Sequence, residues 1–298
     1  MIRKSYFKFA ALLSMCIAVS CSDDDPGKGG GGKSEVKVPE NAVDLSAAGT
    51  ANCYIVKPGG TVVFDAQYKG NSTTESIGNP VTAELVWQDA KNLIQDIYYV
   101  SKEKKIVAVT APGTSGNAVV AACGADGEIL WSWHLWIADY DPAASLYTTP
   151  ANASGTTWTF MDRNVGATTN APDSFDCHGM IYQWGRKDPF LYPATCQETV
   201  KRADAVYADG FEYSENDPRS AASPYEVMSL AWSVSHPTTY MNGVFYEDWE
   251  EWASSADWLY DHRPNLWGNM TTGMNNISRT SHKFIYDPCP PGWKIFSE

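Results

Sequence analysis

ILWSWHLWIAD, residues 129–139, is the stretch on which the fold turns. Large apolar residues recur at every second position: Trp131, Trp133, Leu135 and Ile137. Successive side chains of a strand point to opposite faces, so this alternation predicts a β-strand with one face set on a core. The other face carries Leu130, Ser132, His134, Trp136 and Ala138. It mixes polar and apolar groups, and the strand is expected to pack one side only on the core.

Working outward from this strand, residues 36–141 read as short apolar runs cut by turn residues. Strands are expected at 53–57, 61–66, 82–88, 97–100, 105–110, 118–122 and 128–138. The breaks fall at Pro58-Gly59-Gly60, Gly70-Asn71, Gly78-Asn79-Pro80, Pro112-Gly113 and Gly124-Ala125-Asp126-Gly127. Regular strands punctuated by Gly, Pro and Asn predict an Ig-like β-sandwich for 36–141. His134 has no second His or Cys at metal spacing in this half, so it reads as a satisfied structural histidine. Trp136 reads as packing under a loop in preference to a sugar platform.

Residues 142–298 read as a second domain of α+β character. A strand is expected over 156–163 and an aromatic turn over 179–186. Val227, Leu230, Ala231 and Val234 recur at helical spacing, as do Phe245, Trp249, Trp252, Ala256 and Leu259. Helices are therefore expected over 224–235 and 245–259. Glu247, Asp248, Glu250 and Glu251 fall on the far side of the latter and read as a solvated face, in preference to an acid–base pair or a calcium site. Asp162-Arg163 and Arg186-Lys187-Asp188 are expected to form charge pairs. Gly166, Gly179 and Gly185 suit turns with unusual backbone angles. Pro288, Pro290 and Pro291 around Cys289 stiffen a turn and exclude helix.

The N-terminus reads as a secretory leader. Arg3, Lys4 and Lys8 precede an apolar run over 9–19 that is too short to span a bilayer. The leader covers 1–20 and ends Ala18-Val19-Ser20, just before Cys21. An acidic, glycine-rich tether follows over 21–35. Of the seven cysteines, Cys16 belongs to the leader. Setting Cys21 aside as well leaves Cys53, Cys123, Cys177, Cys196 and Cys289, an odd set in which at least one thiol has no partner within the chain. Their spacing leaves the pairing open, with Cys53 to Cys123 the leading intradomain pair.

The net charge of −13 without a basic stripe argues against nucleic acid and anionic lipid surfaces as ligands. The 12 Trp and 16 Tyr are ample for cores and for sugar or protein contacts. No nucleophile–base motif, zinc signature, phosphate loop or dinucleotide fingerprint is present. No catalytic residue, metal or cofactor is therefore expected.

The small residues before Cys21 resemble the lipobox of bacterial lipoproteins, in which the cysteine is acylated, typically with palmitate. Ser22, Asp23, Asp24 and Asp25 look like the export signal of Bacteroidota surface lipoproteins. FMDRNVGAT (160–168), GMIYQWGRKDPF (179–190), NLWGN (265–269) and YDPCPPGWK (286–294) resemble, in order, the Fibrobacter succinogenes major paralogous domain. ANCYIVKPGGTVVF (51–64) and ILWSWHLWIADYDP (129–142) look like the leader region of the same gut lipoproteins. In that family a further half follows the proline-rich turn, so the domain over 142–298 is expected to be C-terminally incomplete, and Cys289 to lack a late partner. A weaker analogy of this turn is to C-type-lectin-like folds.

The resemblance implies a non-enzymatic surface lipoprotein for adhesion or ligand binding, either fimbria-associated or acting alone. It would be held in the outer membrane by lipid on Cys21, facing the exterior, with a surface glycan or a fimbrial or other protein as partner. The alternatives are a glycan-binding accessory of a polysaccharide-uptake system and, less favoured, a glycoside hydrolase or a relative of the formylglycine-generating enzymes. Trp184, Arg186 and Trp267 are the first candidates for ligand contact, although structural roles are favoured for all three.

Overall fold

The computed structural model describes residues 36–190, 206–207, 214–216, 229–241, 258–259, 263, 265–268 and 282–296. The leader, Cys21, the Ser22–Asp25 cluster, the tether, Cys196 and most of the helix expected over 245–259 lie outside the described residues.

The first half forms β1 (Val43–Asp44), β2 (Cys53–Val56), β3 (Thr61–Asp65), β4 (Thr82–Gln88), β5 (Ile94–Val100), β6 (Lys105–Thr110), β7 (Gly116–Cys123) and β8 (Ile129–Ile137). β2 to β8 are the seven expected strands with small changes at their ends, β1 is an addition, and the protein is mainly β. β5 starts earlier than its apolar run because the Ile94 amide donates to the Gln88 side chain at 2.8 Å. The ladder to β6 then absorbs a register shift between Ile94 and Asp96.

The second half adds β9 (Leu146–Thr148), β10 (Thr159–Met161), β11 (Ile181–Tyr182), β12 (Pro189–Phe190) and β13 (Val206–Tyr207). It also adds a parallel pair, β14 (Ser214–Asn216) and β15 (Thr239–Met241). Four strands build one sheet in the order β1-β3-β6-β5. Five build the other in the order β13-β4-β7-β8-β2. β2 lies parallel to β8, with Cys53 opposite His134 and Val56 opposite Ile137. β9 and β10 form a separate antiparallel hairpin.

The two sheets share one core. Val62, Phe64, Ile106 and Ala108 from one meet Tyr54, Val120, Trp133 and Leu135 from the other. Phe64 links them directly, its ring 5.3 Å from Tyr54 and 5.4 Å from Trp133. Tilted aromatic pairs at such spacing add a favourable quadrupole term to their burial. The described apolar residues Trp258, Leu259, Leu266, Ile285 and Tyr286 join the same core, and residues 36–298 form one compact unit.

One expectation for β8 is corrected. Its mixed face is buried as completely as its apolar face, with Ser132 and Trp136 at 0 % exposure and His134 at 1 %. The segments around Met161, Val165 and Met180 pack over that face. A polar side chain can sit there because it finds hydrogen-bond partners in the covering segments.

A six-residue helix, Leu230–Ser235, lies within the expected 224–235. The Ser229 side chain caps it, accepting from the Trp232 amide at 3.2 Å. Trp258 and Leu259, where a helix was expected to end, lie in a bend and are buried.

Asn52, just before β2, joins distant parts of this unit. Its Nδ2 donates to the carbonyls of Ile285 at 2.6 Å and Asp287 at 2.9 Å. Its Oδ1 accepts from Trp131 Nε1 at 3.0 Å. Its own carbonyl accepts from the His134 amide at 2.7 Å. Gly70 backs onto it so closely that an added Cβ would lie 1.9 Å from Asn52 Oδ1. Asn71 repeats the reach, donating to the carbonyls of Phe284 and Asp287 at 2.8 and 2.9 Å.

Asn52→Asp keeps the shape and replaces a double donor with a carboxylate facing two carbonyls. It is expected to cost about 3 kcal/mol. The thermal unfolding midpoint should then fall by roughly 6–12 °C, measured by circular dichroism beside wild type.

Candidate ligand-binding cleft

The floor of the site grows from the mixed face of β8. Asn117 on β7 receives the Asp89 carboxylate on both its backbone amide, at 2.7 Å, and its Nδ2, at 2.9 Å. The same Nδ2 donates to the Gly166 carbonyl at 3.0 Å. Asn117 Oδ1 is therefore an acceptor, and His134 Nε2, 2.9 Å away, must carry the proton. That leaves His134 Nδ1 to accept from the Tyr182 hydroxyl at 3.0 Å. Burial alone pushes His134 down to about 3, so the ring is neutral at physiological pH. Burial, with Cys53 and Cys289 nearby, holds Tyr182 well above the usual phenol range, so it remains a donor. The chain Asp89–Asn117–His134–Tyr182 runs from the sheet to the bottom of the cleft, which Tyr182 lines.

Beside it, Ser132 donates to Asp188 at 2.6 Å, and Lys187 donates to the Ser132 carbonyl and to Asp188. The ammonium also lies 4.6 Å from the Trp131 ring. Trp136 Nε1 donates to the Ala167 carbonyl at 3.1 Å, packed under a loop as expected. Gly166 turns that loop at φ 86°, where an added Cβ would meet Met180 at 2.5 Å. Only glycine fits both the angle and the space.

One wall of the cleft is the β9–β10 hairpin. Alternation across Trp158, Phe160 and Asp162 sends these side chains to the same face. All three line a cleft of about 820 Å³. Asp162 and Arg163 form a two-point pair, Nε to Oδ1 at 2.7 Å and Nη2 to Oδ2 at 3.1 Å. Asn170 adds a bond to Asp162 at 2.9 Å, and Arg163 stacks 3.9 Å over the Tyr140 ring. The Arg163 bonds hold Asp162 below the usual carboxylate range.

The segment after the proline-rich turn, with Trp293 and Phe296, also lines the cleft. Asp287, 1 % exposed, organises it by accepting from the amides of Cys289 and Ile295, each at 2.8 Å, and from Lys283 at 2.7 Å. The prolines have no amide to offer, so Cys289 and Ile295 supply the donors. Phe296 stands edge-on to Phe160, with ring centroids 6.1 Å apart. Trp158 is 45 % exposed and Phe296 70 %.

Trp184, Arg186 and Trp267 are brought together, but away from this cleft. The two indoles lie 4.7 Å apart, and Trp267 Nε1 donates to the Arg186 carbonyl at 2.9 Å. Trp184 is exposed. Arg186 is 2 % exposed, and its guanidinium donates to the carbonyls of Thr239, Ser233 and His236, where the helix ends. Arg186 thus has the structural part favoured for it, satisfying the carbonyls where the helix ends. The residues that do line the cleft, Trp158, Tyr182, Trp293 and Phe296, were not singled out from sequence. The alternation in TTWTFMDR carried a signal for Trp158 only.

The expected charge pairs at Asp162–Arg163 and Lys187–Asp188 are both present. Gly166, Gly179 and Gly185 all have positive φ, as expected. The Cys53–Cys123 pair is not. Both are free thiols. Cys53 on β2 sits opposite His134 of β8, while Cys123 on β7 sits opposite Ile129 of β8. That separates them by about 17 Å along the strands and about 10 Å across them, whereas a disulfide spans Cα atoms no more than about 7 Å apart. No group of three or more His, Cys, Asp or Glu side chains among the described residues could hold a metal ion.

Compared with known protein families, curated proteins and solved structures, the chain matches none.

Neutral His134 predicts an acid sensitivity with a definite sign. The unfolded histidine takes its proton near pH 6.5 and the folded one only near 3. Between these values the unfolded state binds more protons, so stability falls as pH falls through that window, by up to about 1.4 kcal/mol per pH unit. Urea midpoints measured from pH 7 to 4 should drop more steeply for wild type than for His134→Asn. Parallel curves would refute a buried neutral His134.

Proposed function

We propose that this chain is a non-enzymatic, lipid-anchored cell-surface protein that binds a ligand, in adhesion or in attachment of the cell to its surroundings. The cleft carries the proposal. It sets aromatic faces at Trp158, Phe160, Trp293 and Phe296 beside the fixed polar pair Asp162–Arg163. Saccharides present apolar ring faces edged with hydroxyls, and this combination of flat apolar walls and bidentate polar groups suits them.

Asp162 bears on the choice between contact and chemistry. Glycoside hydrolysis needs a carboxyl group whose pKa is raised so that it can give a proton. Asp162 is shifted the other way and is held by Arg163 and Asn170. A role in ligand contact fits that better than one in proton transfer. The surface location is supported by the lipobox-like Cys21, the acidic Ser22–Asp25 cluster and the order of the family-like motifs. No helix among the described residues is long and apolar enough to cross a membrane. Anchoring through acyl chains on Cys21 would supply attachment.

A second reading is a glycan-binding accessory of a polysaccharide-uptake system. It is favoured by the exposed Trp158 beside the polar pair, and it differs only in what the cell does with the bound glycan.

Two measurements test this. The intact mass of the protein taken from its own membranes should equal a chain beginning at acylated Cys21, and Cys21→Ala should be released from the membrane. On a glycan array, the full chain should bind one class of saccharide. Trp158→Ala and Trp293→Ala should each weaken binding at least tenfold without lowering the unfolding midpoint by more than a few degrees. Binding that is unaffected by both variants, or binding to host or fimbrial proteins alone, would overturn the saccharide assignment.

A further inference from the structure

We propose that Cys53 and Cys289 are joined by a disulfide in the exported protein. The chain path brings them together. Cys53 follows Asn52, whose side chain bonds the carbonyls of Ile285 and Asp287 at 2.6 and 2.9 Å. Cys289 lies two residues beyond Asp287, and its amide is tied back to the Asp287 carboxylate at 2.8 Å. Cys53 points to the outer face of the five-stranded sheet, opposite His134. Tyr182, bonded to His134, and Cys289 share the cleft floor on that same side.

Electrostatics agree with this placement. After burial, the nearby Cys289 is the largest influence raising the Cys53 thiol. Tyr182 feels both sulfurs. Both thiols are buried, at 0 % and 3 % exposure, and unbonded in the structure described here. With His134 they do not make a metal-holding group.

The chemistry balances through an external disulfide. One cysteine loses its proton, and its thiolate attacks the S–S bond of a thiol–disulfide oxidoreductase or of oxidised glutathione, releasing one thiolate. The second cysteine then attacks the mixed disulfide. The Cys53–Cys289 bond forms, the oxidant takes two electrons and leaves as two thiols, and the two protons pass to it. In the folded chain burial raises both thiols, so neither supplies thiolate readily. The bond is therefore made while the chain is folding, before the cleft floor closes. It also needs an oxidising compartment, and so rests on the export part of the function proposed above.

The test is a thiol map of the full chain from its native membranes. The protein is denatured with N-ethylmaleimide before any reductant, digested and analysed by mass spectrometry. A peptide containing Cys53 should be linked to one containing Cys289, and reductant should part them. The same map is made on the full chain refolded with mixed reduced and oxidised glutathione. Linkage there should exceed by at least tenfold that obtained when the same mixture is added to folded, reduced protein. Reductant should lower the unfolding midpoint of oxidised wild type by roughly 10 °C, and leave the double variant Cys53→Ser, Cys289→Ser unmoved. Label on both cysteines in both preparations, or either cysteine joined to another partner, overturns the pairing. Linkage on refolding but label in the native protein overturns the bond in the cell and the export reading with it, while the spatial pairing stands.

Discussion

An asparagine with both side-chain polar atoms engaged holds this structure in register. Asn52 is 1 % exposed. It meets the indole of β8 with its oxygen and two distant carbonyls with its nitrogen. A buried amide without these partners would cost about 1–3 kcal/mol for each lost bond. The position of β2, the orientation of Trp131 and the path of the chain near 285–287 are thus fixed by one side chain. Gly70 is the consequence next door, since no larger residue fits against Asn52.

A second polar arrangement does for the outer face of the five-stranded sheet what Asn52 does at its edge. Apolar contacts alone tolerate sliding, because one methyl group packs much like another. The row of Asn117, Ser132 and His134 does not, since each must meet a particular donor or acceptor. Gly166, Tyr182, Lys187 and Asp188 supply those partners, and so the cover can sit in only one place. The cleft inherits that precision. Its floor is the end of the hydrogen-bond chain, and its walls are a hairpin and a segment drawn together around Asp287.

Much of the sandwich was legible because its signals are local. Alternation through Trp131, Trp133, Leu135 and Ile137 gave β8, and turn residues marked the limits of its neighbours. The apolar spacing of Val227, Leu230, Ala231 and Val234 foretold the short helix. The Asp162–Arg163 pair is adjacent in sequence and could be read as a pair. What escaped were relations between distant residues. The mixed face of β8 looked half-exposed because its cover arrives 31 to 56 residues later, as with Trp136 and Ala167 and with Ser132 and Asp188. A structural role was favoured for Arg186, but a lone arginine carries no mark of the helix end whose carbonyls it meets. Trp158 and Trp293 line one cleft, yet no periodicity connects them. The cysteine pairing failed for the same reason: Cys53 and Cys123 are nearer in sequence but on strands kept apart by β8.

The hydrogen bonds of Asn52 cross 233 and 235 positions of the chain. Translation proceeds from the N-terminal end, so the partners of this residue emerge more than two hundred positions after it. Until they do, β2 has a single neighbour, β8, and lacks the contacts that hold its entry. Contacts closed over so long a loop form late and slowly. The entry to β2 therefore stays pliable until residues 285–287 have been made. The same geometry makes these two distant stretches a single point of failure. A protease that clipped the segment around 285–289 would loosen the first buried strand as surely as one that cut beside it.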